Sequence, residues 1–423
     1  MPALRRAPSS SEMLERLNQP ISLRRRPNAS APEPVATTEE RTHRRPQRSL
    51  RPQRPSRVRT LVGLEIEPGQ IVAARSHLDG RVVVERAVGM PIPPNLVRDG
   101  EVTDFEALSA ALAELFEGSG FDRRVRIGIA NQRIVMRQIE LPPIIDPKEL
   151  DSAVRFQAQD EIPMPIESVV LDYHPLGIAD VDGSPKMRVL LVAARRDMVE
   201  RVLLAARQAG LRPEGVDLAA FGMIRALRPP DIAETDRVLY LSIGGLTNLA
   251  IAAGPTCEFT RVITSGVDQI VSEVAARAGL PFSDARRVIA SISESVTLPR
   301  PTLSTPGEDA SAVAPVTEGG DSSATHNAEL ARVALADGIR RIASEVRNSL
   351  DFHLGAHAEN PIARAVLTGP ALDLDGFDVA LGRELGLELT RGEVALASPA
   401  AAGHVPMSRL AVAAGLSLEE GPK

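Results

Sequence analysis

From Val58 onward, apolar and polar positions alternate in short runs that predict strands. VRTLVGLEI, IVAARSHL and RVVVERAVGM follow one another, separated by EPGQ and by Asp79-Gly80, and read as a meander. The period then lengthens. Phe105, Leu108, Leu112, Leu115 and Phe116 recur at helical spacing behind Thr103 or Asp104 as cap, with Gly118 as the stop. VRIGIA and RIVMRQIEL return to strand spacing before Pro142-Pro143.

DPKELDSAVRFQAQDEIPMP predicts a helix with Asp146 as N-cap, Pro147 at the first helical position and Glu149 where a capping box places its acid. Its end falls at Pro163 or just before. VVLDYHPL and KMRVLLVAA read as strands around a turn at Asp182-Gly183. DMVERVLLAARQAG repeats the capping logic with Asp197 and Glu200, and Gly210 ends it. At Arg237 the meander returns as RVLYLSI, GGLTN, LAIAA and CEFTRVI. The starting unit occurs twice. SGVDQIVSEVAARAG, capped by Ser265, and SDARRVIASI predict helices; a long helix follows from about Glu329 to Leu354, then strand ARAVLTG, helix LDGFDVALGREL and a last helix near SRLAVAAGLSL.

Composition changes this picture at two places. Residues 1–60 carry a formal charge of +9 against −6 for the whole chain, so the remainder carries −15. That segment has no Lys, Phe, Tyr or Trp, and its Pro, Ser and Arg runs bury too little apolar surface to offset ordering entropy. A disordered basic arm over 1–57 is expected. A solvated tail, anionic lipid and an acidic partner face stay open for it; nucleic acid is disfavoured because no aromatic side chain interleaves the arginines. Within it SSEMLERL places Met13, Leu14 and Leu17 on one side of a short capped helix. Residues 293–328, rich in Pro, Ser, Gly and Ala, read as a disordered insertion.

The hydrophobic fraction of 43% and charged fraction of 25% are those of a globular protein, and no apolar run approaches the roughly 18 residues of a membrane span. MPALRRAPSS has no apolar stretch behind its arginines, so no secretory signal is expected, and Cys257 is the only cysteine. No nucleophile elbow, Walker loop or zinc spacing occurs. His353 and His357 are four apart near a helix end; the helix dipole accounts for them better than a metal, for which no third ligand is evident. No catalytic or metal residue is assigned.

Two lobes that each begin with a strand-turn-strand hairpin, with LTGP near the end, resemble the actin, sugar kinase and DnaK-type plan. VRFQAQDEIPMPIESVVLDYHPL, VAARRDMVERVLLAARQAGLRPEGVDLAAF and RVITSGVDQIVSEVAARAGL resemble the PilM family, the actin-like cytoplasmic proteins of type IV pilus assembly related to FtsA. The similarity runs from about Thr60 to Leu416, apart from the insertion. It implies an α/β, two-lobed actin-like (ribonuclease H-like, duplicated) fold with an inserted SHS2-type subdomain. The organisation expected is a first lobe over 58–145, the inserted subdomain over 146–216, a second lobe over 217–292 and 329–423, and the insertion between them.

What the resemblance implies for function is a scaffold at the inner face of the cell membrane that recruits a PilN-like bitopic protein by its cytoplasmic N-terminal peptide. Ile162, Pro163, Met164 and Pro165 are the expected groove wall, with a packing role open for Met164. ATP with magnesium is implied between the lobes, near Gly63, Glu65, Gly69, Gly244, Gly245, Thr247 and Gly369. Three departures oppose it. Glu67 and Pro68 add a charge and delete an N–H donor in the first turn, Ser242 replaces a metal-organising Asp, and Gly369-Pro370-Ala371 narrows the adenine side. The expectation is therefore a degenerate nucleotide site with weak hydrolysis at most. The competing readings are an FtsA-like membrane tether, with self-association left open, and an ATPase or sugar kinase-type enzyme.

Overall fold

Strand β1 (Val62–Glu67) pairs antiparallel with β2 (Gln70–Asp79), and β2 with β3 (Arg81–Pro91), so the first meander is a true three-stranded unit. The computed structural model describes residues 61–93, 95–292, 322–355 and 361–418. The basic arm and most of the insertion, as well as His357, lie outside the described residues. After a small ladder of β4 (Val97–Arg98) with β5 (Glu101–Val102) comes helix α1 (Phe105–Phe116), whose N-cap Asp104 accepts the Ala107 N–H at 3.0 Å. Strand β6 (Arg124–Ile129) then lies parallel to β1.

Strand β7 (Val135–Leu141) leaves this sheet. Helix α2 (Pro147–Glu161) begins at Asp146, whose carboxylate accepts from the Lys148 and Glu149 amides at 2.9 Å. Strands β8 (Val169–Val181) and β9 (Ser184–Arg195) form a hairpin at Asp182-Gly183, both at positive φ as a primed two-residue turn requires, and β7 adds to β9 as the third strand. Leu150, Val154 and Ala158 of α2 pack on Ile139, Val189 and Leu191 in a core of their own.

Helix α3 (Arg196–Gln208) returns to the first lobe, placing Met198, Val199, Val202 and Leu203 in its core, and β10 (Arg212–Leu218) lies parallel to β6. The three-stranded sheet of β7, β9 and β8 covers 135–195, while the inserted unit drawn from sequence covers 146–216. Among the described residues β7 pairs with β9, and the apolar stripe of α3 is covered by lobe-one side chains. Asp197 is also not the cap of α3; it sits in the first turn, paired with Arg195.

Helix α4 (Ala219–Leu227) leads to the second lobe, where β11 (Arg237–Ile243), β12 (Thr247–Ala253) and β13 (Thr256–Ile263) repeat the antiparallel meander. Helices α5 (Val267–Ala278), α6 (Phe282–Ile292) and α7 (Ser322–Gly355) follow. Helix α5 is capped at Gly266 without a side-chain bond, so Ser265 is not its cap. Helix α7 starts at Ser322, inside the stretch expected to be disordered. Strand β14 (Ile362–Thr368) lies parallel to β11, and after α8 (Phe377–Leu385) strand β15 (Leu389–Arg391) lies parallel to β14. The chain then crosses back: β16 (Ala395–Leu396) pairs with β3, and α9 (Ala411–Leu416) packs on β1 and α4.

The two sheets have the same plan. In one the order is β3-β2-β1-β6-β10 with β16 outside β3; in the other it is β13-β12-β11-β14-β15. Every residue of β11 is buried, with Val238 and Tyr240 facing the core shared with α4 and α9, and Leu239, Leu241 and Ile243 facing α5, α7 and α8. This period-two division of one strand joins the lobes through a continuous apolar interior. It also holds the β1–β2 and β11–β12 turns opposite each other.

Candidate functional site

Each of those turns follows from local chemistry. Pro68 presets the first corner of the β1–β2 turn and Gly69 takes the second, at a φ of +83°. In the β11–β12 turn the Gly244 N–H donates to the Leu246 carbonyl at 2.8 Å, and the Gly244 carbonyl accepts from the Val267 N–H at 2.7 Å, fixing the start of α5. At the end of β14, Gly369 adopts a φ of +94° and a 3-10 turn over Pro370–Asp373 follows.

The turns touch. A Cβ on Gly244 would stand 2.5 Å from Glu67 Oε2, and one on Gly245 would stand 2.7 Å from Pro68 Cβ and 2.9 Å from Asp268 Oδ2. Neither glycine has a positive φ among the described residues; Gly245 is kept small by the ring and backbone of Pro68, whereas the contact over Gly244 is with the end of the Glu67 side chain. Between Glu65, Glu67, Gln70, Ser242, Thr368 and Gly369 about 10 Å³ remains, room for about one water. A wider cavity of about 490 Å³ shares no lining residue with that space; Pro68, Arg98, Asp99, Gly245, Asp268 and Phe282 are among its walls.

Three carboxyl groups converge on the contact. Glu65 is buried, and its carboxyl is held well above the usual range by burial first and by its neighbour Glu67 second. Glu67 is pushed up to about 7 by burial and by Asp268, against the opposing effect of the Gln70 hydrogen bond and Arg409. Asp268, in the first turn of α5, is raised by burial in spite of Arg286 and Arg409. Its Oδ1 accepts from Arg286, while its Oδ2 is buried with no hydrogen-bond partner among the described residues.

One arginine stitches the edge of the cleft. Arg409 donates from Nε to Asp373 Oδ2 at 2.8 Å and from Nη1 to Gln70 Oε1 at 2.7 Å, and Gln70 Nε2 donates to Glu67 Oε2 at 3.4 Å. Asp373 also accepts from Ser408 Oγ at 2.6 Å. Second-lobe Asp373 is thereby linked to first-lobe Gln70. Among the described residues no group of three His, Cys, Asp or Glu side chains has the spacing of a metal site.

Of the residues singled out from sequence, Glu65, Gly69, Gly244, Gly245 and Gly369 do meet around this contact. Gly63 does not. It lies on β1 where a Cβ would overlap the Ala413 carbonyl of α9, so its smallness serves helix packing. Thr247 is fully buried and donates from Oγ1 to the Ser265 carbonyl at 2.6 Å, within its own lobe. Cys257 is enclosed by the core, where burial pushes its thiol up to about 12. His353 is buried beside Phe259, with Nε2 3.7 Å from Glu258.

On the inserted unit, Ile162 caps the end of α2 and is part of that unit's core. Met164 is half-buried against the same core, and Pro163 and Pro165 are exposed. Sequence reading passed over Phe156, 71% exposed, and Ile145, 91% exposed. The signal was present: Phe156 falls two residues after Val154, on the helix face opposite the Leu150, Val154 and Ala158 stripe.

The family model for type IV pilus assembly protein PilM matches residues 63–293, more than half of the chain. The chain belongs to the PilM family. The match spans the first lobe, the inserted unit and the first meander and helices of the second lobe. A solved PilM-PilN type IV pilus biogenesis complex superposes with a TM-score of 0.62 at 24% identity, covering 85% of this chain and 97% of that one. Ethanolamine utilization protein EutJ from Carboxydothermus hydrogenoformans gives 0.46 at 14% identity, covering 87% and 91%. MreB5 of Spiroplasma citri bound to ADP gives 0.44 at 13%, covering 85% and 95%. This PilM-family chain shares its duplicated two-lobed fold with the chain of the PilM-PilN complex. No described helix is long and apolar enough to cross a membrane.

Proposed function

We propose that this PilM-family chain is an actin-like scaffold of type IV pilus assembly, or of a related competence or type II secretion machine. It works at the cytoplasmic face of the inner membrane and recruits a PilN-like bitopic protein through that partner's cytoplasmic N-terminal peptide. The observation that carries this reading is the family match through the inserted unit, an SHS2-type subdomain in this account. The exposed apolar side chains of that unit supply a docking surface: Phe156 stands out from α2, with Met164 between two exposed prolines at its end.

The test is titration of a PilN-like N-terminal peptide into the full chain. Phe156→Asp changes no core contact, so its melting temperature is expected to match that of the unaltered protein while affinity falls at least about tenfold. Met164→Asp is expected to lose affinity as well, with some loss of stability because Met164 touches the core of the inserted unit. Full affinity in both variants rejects this surface.

The +9 charge of residues 1–60 favours a second role, attachment to anionic membrane as in an FtsA-like tether. Flotation with phosphatidylglycerol vesicles, with and without residues 1–57, separates the two. Binding that persists without the arm excludes the arm as the anchor. A kinase-type enzyme is disfavoured by Ser242, which supplies no carboxylate at the β11 end.

Nucleotide is the family's expected cofactor, and in this proposal the chain holds it weakly or not at all. Support comes from the abutting turns, the remaining space of about 10 Å³ and the three converging carboxyl groups. ATP with magnesium does not fit among these residues as they stand. The space has no room for a phosphate group, and the acidic side chains of Glu65 and Glu67 line it.

A further inference from the structure

We propose that Glu67 is a built-in occupant of the glycine cradle in the β11–β12 turn, a tethered carboxylate by which the chain closes its own cleft where a phosphate would otherwise lie. The proposal rests on the weak-nucleotide reading above and is independent of the pilus partner.

Three observations carry it. Glu67 Oε2 lies over Gly244 closely enough that even a methyl group there would collide with it. Pro68, the next residue, fills the space over Gly245, and its ring offers no N–H to an anion. Behind them Gln70 holds the Glu67 carboxyl and is itself held by Arg409, which is anchored on Asp373. The occupant is therefore fixed from the first lobe by its own turn and from the second by the Asp373–Arg409 arm.

The groups facing Glu67 are Glu65 on β1, Gln70 on β2, Asp268 on α5 and Arg409, with Arg286 one step removed on Asp268. An arriving phosphate meets two carboxyl neighbours besides the one it must displace. Removing Glu67 relieves the steric conflict and its own acidic group together, leaving Glu65 and Asp268 in place. Replacing it by glutamine relieves the charge alone. The two substitutions therefore separate plugging from simple repulsion.

The experiment is calorimetric titration of the full chain with ADP and with ATP, each with magnesium. The wild-type chain is expected to show no saturable heat at millimolar nucleotide. Glu67→Gly combined with Pro68→Ser is expected to bind at least about tenfold tighter, and Glu67→Gln to show no gain. Wild-type binding as tight as that of the double variant overturns the proposal. So does a folded double variant without gain, or a Glu67→Gln gain equal to that of the double variant.

Hydrogen exchange keeps the proposal exposed if the double variant fails to fold. In Glu67→Ala the amides of Gly244 to Thr247 are expected to exchange at least about tenfold faster than in the wild type. Unchanged exchange there rejects the plug. Peptide affinity measured on the same samples reports separately on the pilus reading.

Discussion

Gly415→Val is expected to abolish folding or to lower stability by about 3 kcal/mol. Helices α4 and α9 cross between the two sheets at a glycine-to-glycine contact, where a Cβ on Gly415 would overlap the Gly222 carbonyl and one on Gly222 would stand 2.8 Å from the Val412 carbonyl. The crossing is locked from the side by Arg225, whose Nε donates to the Gly415 carbonyl at 3.0 Å. Neither helix has room to retreat, because Val412, Ala413, Ala414 and Leu416 are buried against β1 and its neighbours. Urea denaturation followed by circular dichroism measures the loss. Gly215→Ala, at a site with open space around it and no positive φ, is the control and should change stability by less than about 0.5 kcal/mol. A Gly415→Val midpoint equal to that of the control contradicts the α4–α9 crossing.

Stability is expected to rise as pH falls from about 8 to about 5, opposite to the usual behaviour of ion-paired carboxylates. The sign follows from Glu67, whose folded value of about 7 exceeds its ordinary 4.5. Its favourable contribution is complete below the ordinary value, fades as pH rises through about 7 and is absent above. At most this amounts to about 3 kcal/mol, less in proportion to the solvent that Glu67 still meets. Glu65 and Asp268 are raised as well, so they act in the same direction. Asp197, Asp231 and Asp284, held below 3.8 by their arginines, respond only in more acid solution. Urea midpoints at about pH 5.5, 7 and 8.5 should fall with pH in the wild type. In Glu65→Gln with Glu67→Gln they should vary less and stand higher at the alkaline end. A wild-type midpoint that climbs across this range would sink the account of the acid pair.

These two expectations come from different layers of information. Glu65 and Glu67 were visible as acids at the first hairpin, and the conflict of Glu67 and Pro68 with a phosphate was legible from residue type alone. Their convergence with Asp268, some 200 residues away, was not, because α5 is brought to the first turn only by the joining of the lobes. Gly63 depends on a partner even farther along the chain. Its place near a turn made it a ligand candidate, while the structure assigns its missing side chain to α9, more than 300 residues on. Phe156 was legible but unread, since a lone aromatic on the polar face of α2 has meaning only once the buried face is fixed.

By itself the sequence determined much of what depends on neighbours along the chain, though not the caps of α3 and α5. It set both meanders, the caps at Asp104 and Asp146, the primed turn at Asp182-Gly183 and the repetition of one starting unit. These features are local, because hairpin pairing, capping and helical periodicity connect residues only a few positions apart. Only the tertiary structure decided which sheet receives β7, β10 and β16, what the glycines are for, and that the two turns close on each other. Those outcomes depend on packing between segments 50 to more than 300 residues apart, where an apolar stripe has many possible partners and the pattern that creates it names none of them.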